Sequence, residues 1–259
     1  MRIGIIGGTG QLGSAMAIAL LETRTVLPET LWIANRSGSL GPLDRWSEIR
    51  TTTAPSDLAE VCEVIVLAVP PDQARDLRLS APNALILSVM AGVTLEDLSV
   101  ISGSQRVVRA MSSPAAAYRL TYSPWIAMAQ LSDADEALVS KLLGACGATD
   151  KVASEDHIDR FTALTGPVPG FVAAFAEAMI VHATRRGIPG DIADRAIRQL
   201  FLSAGTMMSL DEKSPSAHVQ EMIDYAGTTA AGLTALRNGP LNAAVDDALE
   251  AAYQRTKSI

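Results

Sequence analysis

Cysteine, histidine and aromatic residues are scarce in this 259-residue chain. Cys62 and Cys146 have no second cysteine or histidine at metal-ligand spacing, so no metal is expected and both are read as reduced, buried thiols. The three histidines, His157, His182 and His218, are scattered along helical stretches and form no constellation with an acid or a nucleophile. No run of Lys or Arg breaks a net charge of −7, which excludes a nucleic-acid footprint, because duplex binding needs clustered cations. Nor is there an uncharged apolar run of about 18 residues: the best candidate, Phe171 to Ala183, is short and carries Glu177, so a membrane span is excluded. The start, Met1-Arg2-Ile3-Gly4-Ile5-Ile6, runs straight into glycines without a longer apolar region and cleavage site, and a cytoplasmic location is expected. The partners left are small molecules and further copies of the chain.

What is present is a regular alternation. Short β-rich runs, at Arg2 to Ile6, Leu31 to Ala34, Ile49 to Thr53, Val64 to Val69, Ala84 to Val89 and Arg106 to Ala110, are separated by helical stretches. Weaker runs follow at Tyr122 to Ala129 and Thr149 to Val152. The pattern predicts an α/β fold with a doubly wound, mostly parallel sheet covered on both faces. After Ser154 the runs stop and four or five helices are predicted. Phe171, Phe175 and Met179 fall on one face of a helix that Gly187 ends. Further helices open at Asp191 and at Ser214-Pro215, and another runs from Leu241 to Arg255. The expected division is a nucleotide-binding domain over residues 1–153 and an all-α domain over residues 154–259.

Gly8-Thr9-Gly10-Gln11-Leu12-Gly13 is a G-x-G-x-x-G, extended by Gly7, that follows the first strand and opens a helix. That context is what a dinucleotide requires: glycines let the backbone approach a pyrophosphate, and the helix start offers free N–H groups. The second strand ends in Asn35-Arg36-Ser37, with no carboxylate to bond a ribose 2′-hydroxyl. Arg36 can pair with a 2′-phosphate while Asn35 and Ser37 donate to it, so the expected cofactor of this Rossmann domain is NADP(H).

With Asn35-Arg36-Ser37, Val66-Leu67-Ala68-Val69-Pro70-Pro71 and Leu87-Ser88-Val89-Met90-Ala91-Gly92-Val93-Thr94 in register, the chain resembles pyrroline-5-carboxylate reductases. Phe175-Ala176-Glu177-Ala178-Met179, Gly227-Thr228-Thr229-Ala230-Ala231-Gly232-Leu233 and Asn242-Ala243-Ala244-Val245 extend the resemblance over nearly the whole chain. It implies an intertwined dimer, often assembled further, that reduces a cyclic imine to proline with NADP(H). It adds Ala68, Val69, Pro70, Ala91 and Gly92 to the cofactor contacts; Ser112 and Ser113, in a loop after a strand C-terminus, are expected near the nicotinamide. It also implies that Thr229 bonds the imine nitrogen, that Thr228 and Gly227 shape the pocket, and that Pro167, Val168 and Phe171 line its apolar wall.

The departures fall in the substrate region. The family's Lys in A-V-K-P is Pro70 here, Met111-Ser112-Ser113-Pro114 lacks the Asn of M-P-N-T-P, and Thr165 to Phe171 replaces S-G-S-x-P-A-Y. The S-P-G-G-T-T loop is Asp224-Tyr225-Ala226-Gly227-Thr228-Thr229. A phenol or a carboxylate there could donate a proton or bind an amine, which makes Tyr225 a second catalytic candidate and Asp224 a substrate-binding one. Two other readings stay open: the longer glycine turn looks like that of deazaflavin-dependent NADP reductases, and an altered loop is compatible with a silent NADP-binding regulator.

Overall fold

The computed structural model describes residues 1–74, 77–128 and 131–258. Eight strands, β1 (Ile3–Ile6), β2 (Leu31–Ala34), β3 (Arg50–Thr52), β4 (Val64–Leu67), β5 (Leu85–Ser88), β6 (Val107–Ala110), β7 (Thr121–Ala127) and β8 (Gly147–Lys151), form one sheet. Its order is β3-β2-β1-β4-β5-β6-β7-β8, parallel throughout except where β7 runs antiparallel to β6. Every run expected from the sequence is a strand within two residues at either end. The expected end of the seventh, Ala129, lies outside the described residues.

The near-continuous apolar content of the central strands has the predicted cause, a sheet covered on both sides. Ile5, Ile33, Val66 and Leu87 join one core with Met16 and Leu20 of α1 (Gln11–Glu22) and Leu142 and Leu143 of α5 (Asp133–Gly144). Ile6, Ile65, Leu67 and Ile86 join the other with Leu58 of α2 (Pro55–Val61) and Leu98 of α4 (Leu95–Ser102). Between them α3 (Pro71–Ala74) follows β4 directly. Cys62 and Cys146 are free and buried, and burial pushes both thiols up to about 12, so neither is a thiolate at neutral pH.

Six helices follow β8, more than the four or five expected. The first of them, α6 (Glu155–Leu164), opens at Ser154, whose hydroxyl accepts from His157 N. The chain divides into a unit of Met1–Val168 with Ala251–Ile259 and a unit of Pro169–Glu250. The second unit contains α7 (Gly170–Arg185), α8 (Gly190–Ser209), α9 (Pro215–Asp224), α10 (Thr228–Asn238) and most of α11 (Leu241–Thr256). Ser214 caps α9 with Pro215 behind it, and Gly187 past the end of α7 has φ +89°, both as the sequence predicts. Phe175 and Phe201 meet edge to face, 6.2 Å apart, yet Ala193 is the one buried residue of this unit. Phe171, Val172, Leu202, Met207 and Met208 stay exposed.

The last turns of α11 return to the first unit. Tyr253 donates from its hydroxyl to Asp156 Oδ1, and Lys257 Nζ reaches Asp159 Oδ2 at 2.7 Å. The Tyr253 hydroxyl first, then Arg160 and Lys257, hold the Asp156 carboxyl down at about 2.

Candidate functional site

A groove of about 530 Å³ opens at the C-terminal edge of the sheet where β1 lies between β2 and β4. This is the switch point at which connections leave in opposite directions, and so the place where the fold leaves a crevice. Gly7, with φ +83°, turns the chain out of β1, its N–H donating to Ala34 O at 2.9 Å. A Cβ at Gly7 would lie 2.6 Å from Ala68 O, and one at Gly13 would lie 2.3 Å from Gly7 O. The turn is thus packed backbone on backbone, and α1 starts from it at Gly10 with no side-chain cap, leaving its first N–H groups for a ligand.

The second wall is the turn after β2. Asn35 Oδ1 accepts from Ser37 N, Ser37 Oγ and Gly38 N, while its Nδ2 donates to Ser39 O at 2.8 Å. The Asn35 amide is therefore engaged inside the turn, and its contribution is the shape of the loop. Arg36 points no charge at a protein acid: it is exposed and has no ion-pair partner among the described residues. Ser37 sits beside it with its hydroxyl 2.7 Å from that of Ser39.

Gly7, Thr9, Gly10, Asn35, Arg36, Ser37, Val69 and Pro70 all line this groove. Gly8, Gln11, Leu12, Gly13 and Ala68 build it from behind or from the start of α1. Gly92, with φ +71°, lines instead a separate cleft of about 650 Å³ with Val93, Pro71, Asp72 and Asp97, and Ala91 lines neither. Beyond the end of β6, Ser112 Oγ accepts from Ser123 Oγ at 3.1 Å. Ser113 is buried against Thr121, 3.1 Å between hydroxyls, so that hydroxyl serves the loop. Sequence reasoning missed Thr53, Pro55, Gln73 and Leu77, which complete the groove from the end of β3 and from the segment after β4. Their signal is positional only, since loops following strand C-termini surround such a crevice.

In the helical unit, Asp224, Tyr225, Gly227, Thr228 and Thr229 are consecutive at the corner between α9 and α10. Gly227 is the N-cap of α10 and makes no side-chain cap bond, so neither Thr228 nor Thr229 is spent as a cap. Ala226 has φ +67° and Gly227 φ +91°. A non-glycine residue in the left-handed region costs roughly 1–2 kcal/mol, and this one stands where the resembled loop has glycine. Tyr225 is 88% exposed. Asp224 accepts from Gln220 Nε2 at 2.7 Å, and Gln220 Oε1 accepts from Arg237, so the acid is held at the end of α9. Phe171 lies in the first turn of α7, partly exposed, while Pro167 and Val168 end the first unit.

Among the described residues no helix is long and apolar enough to cross a membrane, and no group of three metal-ligating side chains converges.

Comparison with known proteins matches residues 155–259 to the family described as pyrroline-5-carboxylate reductase dimerisation. Residues 2–92 match the family described as NADP oxidoreductase coenzyme F420-dependent. The chain is 28% identical to pyrroline-5-carboxylate reductase 2 of Bacillus subtilis, covering 100% of this chain and 95% of that protein. It superimposes on the structure of a pyrroline-5-carboxylate reductase from Coxiella burnetii with a TM-score of 0.86 and 28% identity, over 99% and 97% of the two chains. The fold is also that of a Plasmodium falciparum pyrroline carboxylate reductase solved with NADP bound, at a TM-score of 0.80 and 21% identity, over 100% and 97%.

Proposed function

As a divergent member of the pyrroline-5-carboxylate reductase family, this chain is, we propose, an NADP(H)-dependent reductase of the C=N bond of a small cyclic imine, pyrroline-5-carboxylate, in the formation of proline. The observation that carries the reading is Arg36, without an ion-pair partner among the described residues at the rim of a groove too tight at Gly7 and Gly13 for any side chain, in a chain similar to these enzymes from end to end. The match of residues 2–92 to F420-dependent NADP oxidoreductases describes the nucleotide-binding part, and the helical match favours imine chemistry.

The residues present fit the cofactor. The backbone cradle from Gly7 to Gly13 takes the pyrophosphate at the start of α1, and Arg36 takes the 2′-phosphate through charge-assisted hydrogen bonds, with Ser37 beside it in the turn. Thr53, Pro55 and Leu77 wall the adenosine end. NADPH, when bound, supplies the hydride. The protein's task at the other end is to orient the imine and to keep its nitrogen protonated. An iminium is already electrophilic at neutral pH, so a hydroxyl aimed at the nitrogen serves in place of a strong acid. Thr229, one residue into α10 and free of capping duty, is assigned that contact. Thr228, Gly227 and Tyr225 adjoin it in the chain at the same helix corner, and Phe171 of the same unit offers an exposed apolar side chain. The exposed apolar helices of the second unit are covered by a second copy of the chain, giving a homodimer in the cytoplasm; burial of Phe171, Val172, Leu202 and Met207 supplies the core that the unit lacks alone.

Replacing Thr229 with alanine tests the catalytic assignment. Because a positioned hydrogen-bonding group at the reacting centre is worth about 100-fold or more in rate, kcat with pyrroline-5-carboxylate should fall by that order while the Kd for NADPH, read by fluorescence titration, stays within about twofold. An unchanged kcat removes Thr229 from the mechanism, and an equal loss in NADPH affinity makes it a structural residue.

A further inference from the structure

Arg109 is a cation buried inside the sheet, 3% exposed on β6 between Ser88 of β5 and Ile126 of β7. Two acids of α6 hold it: Nη1 donates to Glu155 Oε1 at 2.9 Å and Nη2 donates to Asp159 Oδ1, while Nε has no partner among the described residues. The two acids are not equivalent. Asp159 is 10% exposed and is shared with Lys257 from the returning C-terminal segment, whereas Glu155 is 34% exposed. The same Glu155 Oε1 also accepts from Leu95 N at 3.0 Å. Leu95 opens α4, and that N–H is one of the orphan donors of a helix start.

One carboxylate oxygen therefore ties together the ends of two loops: the one that leaves β5 through Met90, Ala91 and Gly92, and the strand that runs on into Met111, Ser112 and Ser113. Both loops leave the C-terminal edge of the sheet, on the side of β4 away from the Arg36 turn. Ala91 and Gly92 are among the cofactor contacts expected from the sequence, and Ser112 and Ser113 are expected near the nicotinamide, which assigns both loops to that half of the cofactor. We infer that Glu155 is a positioning residue for hydride transfer, acting through Leu95 N and Arg109 to fix these two loops. This rests on the NADP(H) reading.

Asp159, the deeper acid, neutralises Arg109; Glu155 contributes reach. The two roles separate in two conservative variants. Glu155→Asp keeps the charge and withdraws the oxygen by one methylene from both donors. Glu155→Gln gives up the charge and keeps a carbonyl oxygen where both donors expect it. Since a misplacement of about 1 Å can cost up to about 100-fold in rate, kcat for Glu155→Asp is expected to fall about tenfold. Glu155→Gln should stay within about threefold of the parent, and the KM for NADPH within about twofold in both, because the adenosine end is untouched. A role in charge neutralisation alone orders the variants the other way.

The experiment measures kcat and KM on the full-length dimer, and in parallel the Kd and nicotinamide emission of bound NADPH without substrate. In that second reading Glu155→Asp should alter the emission at unchanged Kd, and Glu155→Gln should not. Aspartate at the parent rate and emission, glutamine as slow as aspartate, or a loss confined to KM would each overturn the inference. A parent protein that binds NADPH yet leaves pyrroline-5-carboxylate unreduced would defeat the functional reading instead, with the emission series still deciding the role of Glu155.

Discussion

Replacing Arg36 with alanine should weaken NADPH binding by about 10- to 100-fold and leave NADH binding within about twofold. The magnitude follows from the charge-assisted bonds a guanidinium makes to a phosphate, worth about 1.5–3 kcal/mol when lost, at about 1.4 kcal/mol for each factor of ten. The selectivity follows from position. Arg36 stands exposed on the turn after β2 with no acid of its own among the described residues, so its loss leaves the fold intact and removes one ligand of one phosphate. Isothermal titration of the two nucleotides against both proteins reads this directly. Equal losses for NADPH and NADH would place Arg36 on a part of the cofactor that both share.

Gly13→Ala should fail in the opposite way, losing both nucleotides together. The added methyl would stand 2.3 Å from Gly7 O and 2.9 Å from Gly8 Cα. Both are backbone atoms of the turn itself and have no rotamer by which to move aside. The turn must open or α1 must shift, and either displaces the N–H groups proposed to receive the pyrophosphate. Losing two such bonds is about 3 kcal/mol at the least, or at least about 100-fold in Kd for NADPH and NADH alike. The buried crowding lowers stability by a further 1–3 kcal/mol on the order of magnitude. Titration with both nucleotides, beside a thermal melt, checks the two parts. A variant that binds NADH normally would show that the turn is not the pyrophosphate site.

The contrast between these residues also shows what a sequence can disclose. Gly13 was legible because a G-x-G-x-x-G between a strand and a helix has few other uses, and Arg36 because it ends the second strand of such a unit. The central strands were legible because parallel strands buried on both faces leave near-continuous Val, Ile and Leu. β7 and β8 were fainter: β7 carries Pro124, and β8 exposes Asp150 and Lys151. Gln73, Leu77, Thr53 and Pro55 reach the groove only through the topology, and no local pattern marks them. The Arg109 network was invisible for a related reason, since its members lie 46, 50 and 98 residues apart and ion pairs over such separations leave no periodicity. The stretch after β8 holds one helix more than expected. α6, with only Ile158, Asp159 and Ala163 buried, has no long apolar stripe to announce it.

The loop Asp224-Tyr225-Ala226 was conspicuous in sequence as a departure, and its conformation explains part of it. Ala226 keeps the positive φ that glycine would adopt without strain, so the turn into α10 is retained at some cost while the side chains before it have changed. Asp224 is tied to Gln220 and Tyr225 stands almost wholly in solvent. Neither fact removes the helix start at Gly227, beside which the proposed imine contact of Thr229 lies.

The measurement that bears most directly on the whole account is NADPH oxidation by the purified protein with pyrroline-5-carboxylate, run beside uncharged cyclic imines, with proline quantified. The account predicts one proline formed for each NADPH consumed, and faster turnover of the carboxylated imine than of the uncharged ones. Turnover of the uncharged imines alone, or NADPH binding with no reduction of any of them, would contradict it.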